Sequence, residues 1–132
     1  MLINLSNHPS ETWSSAQLEA ATQEFGLVQD IPFPTIPPDM SSSEVVMLAE
    51  QYAKKVISIL PSEVQPPDAV HIMGELTFGY AIVAILQKQT IRCIASTTER
   101  NVEVLADNTR TVRFEFKRFR EYFISSNYVT IL

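Results

Sequence analysis

The chain has 132 residues, 45% of them apolar and 19% charged, with one cysteine and a formal net charge of −5. Disordered chains lack that much apolar surface, and the length suits one domain over residues 1–132 rather than two. A lone Cys93 excludes an intrachain disulfide and fits a reducing, cytoplasmic setting. No run approaches the ~18 to 20 apolar residues that span a bilayer, and MLINLSNHP lacks a basic segment followed by an apolar one, so neither secretion nor membrane insertion is expected.

Residues 1–6 (MLINLS) read as a short buried strand. Ser14 and Gln17 then have the spacing of a capping box, which predicts a helix to about Phe25, ended by Gly26, with Trp13 placed to pack on Leu18 as a hydrophobic staple. LVQDI (27–31) is a second strand, and the prolines of PFPTIPP (32–38) require an extended loop. Ser41 and Glu44 repeat the capping-box spacing, followed by Val45, Leu48, Ala49, Tyr52, Ala53 and Val56 at helical period.

After the loop Pro61–Pro67, AVHIM (69–73) is a third strand, Gly74 the turn, and residues 75–89 a helix apolar on nearly every side. Such a helix needs cover from the sheet and from a further element, for which a second subunit is one source. TIRCIAST (90–97) is the fourth strand, and TVRFEFKRF (111–119) a fifth, with Val112, Phe114 and Phe116 alternating against Arg113, Glu115 and Lys117, as an edge strand with one wet face does. Residues 110–121 hold five Lys/Arg and two Asp/Glu, a local +3 that leaves −8 elsewhere. That acidic remainder argues against a long duplex nucleic acid as partner, and leaves a small anionic ligand or a short nucleic acid open.

Strands one to four alternate with helices, which predicts an α/β, Rossmann-like three-layer sandwich with a mainly parallel sheet and an edge strand near the C-terminus. Open parallel sheets bind ligands outside the carboxyl ends of their strands. That rule selects Ser6, Asn7 and His8 after the first strand, the proline loop after the second, Gly74, Glu75 and Thr77 after the third, and Thr97, Thr98 and Arg100 after the fourth. A guanidinium takes two phosphate oxygens in a fork, which favours Arg100 as the anion contact over an ion pair with Glu99 or Glu103. Gly74 to Thr77 read equally as a tight turn that exposes helix N-terminal amides to an anion, with Thr77 adding a hydroxyl and Glu75 suited to a ribose hydroxyl, and as a plain strand-to-helix turn with Glu75 favoured by the helix dipole. His8 has no acidic partner nearby in sequence, and its reading divides among base, ligand contact and turn residue. His71 and Cys93 read as core residues, the histidine with its hydrogen bonds satisfied. Arg118 and Arg120 with Phe119 and Tyr122 read either as a stacking and phosphate-binding surface or as a solvated edge. Neither a P-loop nor G-x-G-x-x-G is present, so no standard nucleotide cofactor is expected, and no acidic or histidine cluster has metal spacing.

The series N-L-S-N-H-P, a helix-opening Trp, M-G-E-L-T-F, A-S-T-T-E-R and F-x-F-x-x-F-R-x-Y resembles the small stand-alone CRISPR-associated Rossmann-fold (CARF-like) family across most of the chain. The resemblance implies a homodimer that binds a cyclic oligoadenylate second messenger, with Ser6, Asn7, His8, Gly74, Glu75, Thr77, Thr97, Thr98 and Arg100 near the ligand. The messenger is then sensed, sequestered or cleaved. Cleavage would be that of a metal-independent ring nuclease, in which a 2′-hydroxyl attacks its own phosphate with His8 and Arg100 as catalytic candidates. A hydrolase or transferase on another small phosphorylated substrate, and a structural oligomerisation module, stay open beside it.

Overall fold

The computed structural model describes residues 1–125. Its elements in chain order are β1 (Leu2–Ser6), a 3₁₀ turn at Ser10–Thr12, α1 (Ser15–Phe25), β2 (Val28–Asp30), α2 (Ser42–Ile59), β3 (Ala69–Met73), α3 (Leu76–Lys88), β4 (Cys93–Val104) and β5 (Arg110–Glu121). The fold is mixed α/β, with one five-stranded sheet ordered β2-β1-β3-β4-β5. Every pairing is parallel except β4 with β5, which is antiparallel.

β1 lies between two parallel neighbours with all five residues buried, so it reads as a continuous run rather than an alternation. Its side chains divide between two cores. Ile3 and Leu5 join Val70, Ile72 and Cys93 beneath α2 and α3, whereas Leu2, Ala69 and Ile94 meet Ala21 and Phe25 of α1 together with Phe119 of β5. The sheet is therefore packed on both faces.

The helix starts follow their caps. Ser41 completes a reciprocal capping box with Glu44, Ser14 accepts from the Gln17 N–H at the head of α1, and Glu75 accepts from the Phe78 N–H at the head of α3. Trp13 does not act as a staple on Leu18, which stays 42% exposed. Its ring instead meets His71 and Phe119 edge-on or tilted, at centroid distances of 5.2 and 6.2 Å. Aromatic pairing across the sheet offers it more contact than a single leucine on its own helix.

The fourth strand departs most from expectation. It does not stop near Thr97 but runs to Val104, paired with β5 as a long antiparallel arm through a turn in which Asn108 has φ +67°. Its pairing with β3 covers only Cys93 and Ile94, so the rest of the arm projects beyond the parallel sheet. A bulge falls between Thr97 and Thr98. β5 pairs only with β4 and is the sheet edge, as its alternation predicted. Its apolar face is not covered, however, with Val112 and Phe114 exposed. No helix among the described residues is long and apolar enough to cross a membrane.

Candidate functional site

Two clefts open at the carboxyl ends of the parallel strands. The larger, about 910 Å³, runs along α3 between Gly74, Leu76, Tyr80 and Tyr122 and is walled mostly by apolar side chains. The smaller, about 580 Å³, is lined by His8, Thr12, Trp13, Ser14, Gln17, His71, Met73, Ser96, Thr98, Phe114 and Phe116. It joins hydroxyl, amide, imidazole and aromatic groups from the turn after β1, from β3, β4 and β5, and from the head of α1. We take this second cleft as the candidate site because its polar groups converge and one of them lacks a partner.

His71 in the cleft wall belongs to a row of register partners across three strands. Asn4 sits beside Asp30 of β2 on one side and His71 of β3 on the other. The Asn4 amide nitrogen donates to Asp30 Oδ1 at 2.9 Å and to the His8 carbonyl at 3.0 Å, which uses both of its hydrogens. Asn4 Oδ1 therefore faces His71 Nδ1, at 2.8 Å, and also accepts from Ser6 Oγ at 2.8 Å. An amide oxygen only accepts, so His71 Nδ1 carries the proton. Burial, reinforced by the nearby charge of His8, pushes the His71 pKa down to about 4 and keeps the ring neutral. Its remaining nitrogen, Nε2, is then a bare lone pair. It is buried and unpartnered among the described residues.

The turn after β1 is pinned by the same network. The His8 carbonyl accepts from Asn4 and from Trp13 Nε1 at 3.0 Å, and lies 3.0 Å from Ser6 Oγ, whose one hydrogen it shares with Asn4 Oδ1. Asp30 binds the backbone and hydroxyl of Ser10, the latter at 2.8 Å. Trp13 is thereby fixed as a wall of the cleft.

The sequence-derived residues fall into four groups. His8 and Thr98 line the smaller cleft. Arg100 follows on the same face of β4, opposite Phe114, and makes no ion pair among the described residues, while Glu99 pairs with Lys117 at 3.0 Å. Gly74 and Glu75 line the larger cleft instead. Glu75 caps α3 and accepts from Thr77 Oγ1 at 2.7 Å, bonds that lower its pKa, the Phe78 amide foremost. Ser6 and Asn7 are used by the fold, Ser6 through its hydroxyl and Asn7 through its N–H to the Met73 carbonyl at 3.1 Å. Thr97 bonds the Arg118 backbone, as donor at 3.1 Å and acceptor at 3.2 Å.

Phe119 and Tyr122 do not form an outer stacking surface with Arg118 and Arg120. Phe119 is buried and the Tyr122 hydroxyl donates to the Ile72 carbonyl at 2.6 Å. Cys93 is a core thiol, its pKa pushed up to about 12 chiefly by burial and then by the charge of Glu121. Asn4, Asp30, Trp13 and His71 are the site residues that sequence reasoning passed over. The available signal was Asn4-x-Ser6, two polar residues on one face of an otherwise apolar strand, which have to find partners once buried.

A model of the family described as "Uncharacterized protein MJ1673 family" matches residues 1–120. No curated protein and no solved structure matches the chain.

Proposed function

We propose, for a chain that belongs to the Uncharacterized protein MJ1673 family, that it is a binding module for a cyclic oligoadenylate, built on a Rossmann-like three-layer sandwich and acting as a homodimer. The observation that carries this reading is the smaller cleft, where Trp13, Phe114 and Phe116 stand beside His8, Ser96 and Thr98, with an unpaired Arg100 next along the same face of β4. Flat aromatic walls suit nucleobases, hydroxyls suit ribose, and a guanidinium at the rim suits phosphate. The position outside the carboxyl ends of parallel strands is the general ligand position of such sheets. The family resemblance supplies the identity of the ring.

Binding without chemistry needs nothing beyond these groups. Turnover would add in-line placement of a 2′-hydroxyl on its phosphate, with His8 and Arg100 as the side chains at hand. For the homodimer, the support is the outer face of α3, where Leu76 and Tyr80 are 85% and 80% exposed four residues apart.

Incubation with labelled cyclic tetra- and hexa-adenylate, read by mobility shift and product chromatography, tests the reading. A shift at micromolar protein is expected with one of the rings, and Arg100→Ala should weaken it about tenfold, as loss of a charge-assisted contact does, with the melting temperature unchanged. No shift with either ring would sink the proposal.

A further inference from the structure

The hydrogen-bond pattern around Asn4 leaves one group in the cleft wall with nothing to do. His71 is 1% exposed, Nδ1 is committed to Asn4 Oδ1, and Nε2 has no partner among the described residues although the ring lines the cleft. A buried acceptor without a donor has lost its water and gained nothing in exchange. Folds keep such groups rarely, and chiefly where a ligand or water completes them. The tautomer is not adjustable, since moving the proton to Nε2 would set a bare Nδ1 against Asn4 Oδ1, acceptor against acceptor, and turning the ring over would replace that hydrogen bond by a Cδ2–H contact.

We propose that His71 reads the nucleobase, its Nε2 lone pair accepting a hydrogen bond from the exocyclic amino group of an adenine-type ring seated beside Trp13, Phe114 and Phe116. This rests on the nucleotide-binding reading above and adds the element of it that selects the base. The acceptor-only state is what gives the selection. Adenine offers an amino donor at the position where guanine and hypoxanthine carry a carbonyl oxygen, and a carbonyl facing Nε2 would leave two lone pairs opposed in a buried place. Asn4 and Asp30 are positioning residues in this scheme, because they fix the tautomer without touching the base.

The test deletes the donor from the ligand. Dissociation constants are measured for cyclic tetra- and hexa-adenylate, for the same rings carrying purine without its amino group, and for adenosine and purine-riboside 5′-monophosphates. In parallel, ¹⁵N spectra of histidine-labelled protein follow His71, assigned with His8→Gln, since the chain has only two histidines. The free protein should show a protonated Nδ1 and an unprotonated Nε2, and a protonated Nε2 would overturn the proposal at once. Amino-bearing probes should move the Nε2 resonance, and their amino-free counterparts should bind roughly 10- to 100-fold more weakly, the range for an unmade buried hydrogen bond. Equal affinities with an unmoved resonance would overturn the role of His71 and leave the cyclic-oligoadenylate reading standing. Rings that fail to bind while adenosine monophosphate moves Nε2 and outbinds its counterpart would overturn the messenger reading and uphold His71. No binding by any probe would overturn both. Because His71→Leu removes a buried hydrogen bond and risks misfolding, the ligand series carries the decision.

Discussion

His71 makes the clearest residue-scale prediction, because burial holds its folded pKa near 4, well under the ordinary 6.5. Below pH 6.5 the unfolded chain takes up a proton that the folded ring refuses, so stability is complete above pH 6.5 and is lost as pH falls toward 4. A depression of that size is worth on the order of 3 kcal/mol. Urea unfolding between pH 7 and pH 4 should therefore show a loss that shrinks by about that amount in His71→Gln, and an unchanged pH slope in the variant would refute the assignment. Gly74 offers a steric counterpart. A Cβ there would lie 2.4 Å from the Phe33 ring, which itself packs edge-on to Phe78 at 5.2 Å. Gly74→Ala should cost about 1–3 kcal/mol by thermal or urea unfolding, as forced repacking does. Some of this residue-scale chemistry was visible beforehand. The strand-end rule selects Arg100 and Thr98, but the pairing of Glu99 with Lys117, which removes one of the acids that sequence reasoning offered to Arg100, follows from cross-strand register.

At the scale of elements, caps and periodicity were legible because they are local. Ser41 and Glu44 form the reciprocal box that their spacing announces, and Ser41→Ala should lower stability by about 1 kcal/mol in a denaturant titration, with α2 still formed by circular dichroism. A loss indistinguishable from zero would mean that α2 is held by its buried face alone. β4 was misjudged because an antiparallel arm with both faces wet needs no apolar alternation. Residues 98–104 hold their place by ladder hydrogen bonds to β5, and β-branched and polar residues serve that pairing well. The opening of α3 reads as an anion site in sequence, yet Glu75 already supplies the acceptor that a ligand would otherwise bring to the free N–H groups of the helix start.

For the whole molecule, the exposed Leu76 and Tyr80 invite cover. In sedimentation equilibrium the wild type should have twice the chain mass, and Leu76→Asp with Tyr80→Asp should halve it without changing the far-ultraviolet spectrum. A monomeric wild type would remove the homodimer from the proposal. The residue pattern alone decided the class of fold, the helix starts and the parallel direction of the first four strands, since each depends on neighbours within a few residues or on general rules of connection. Only the folded sheet decided which polar residues meet. Asp30, Asn4 and His71 lie far apart along the chain and become a hydrogen-bonded row through the registers of β2, β1 and β3. Register depends on how all the strands pack together, and it is register that fixed the His71 tautomer and left its second nitrogen buried, without a partner among the described residues.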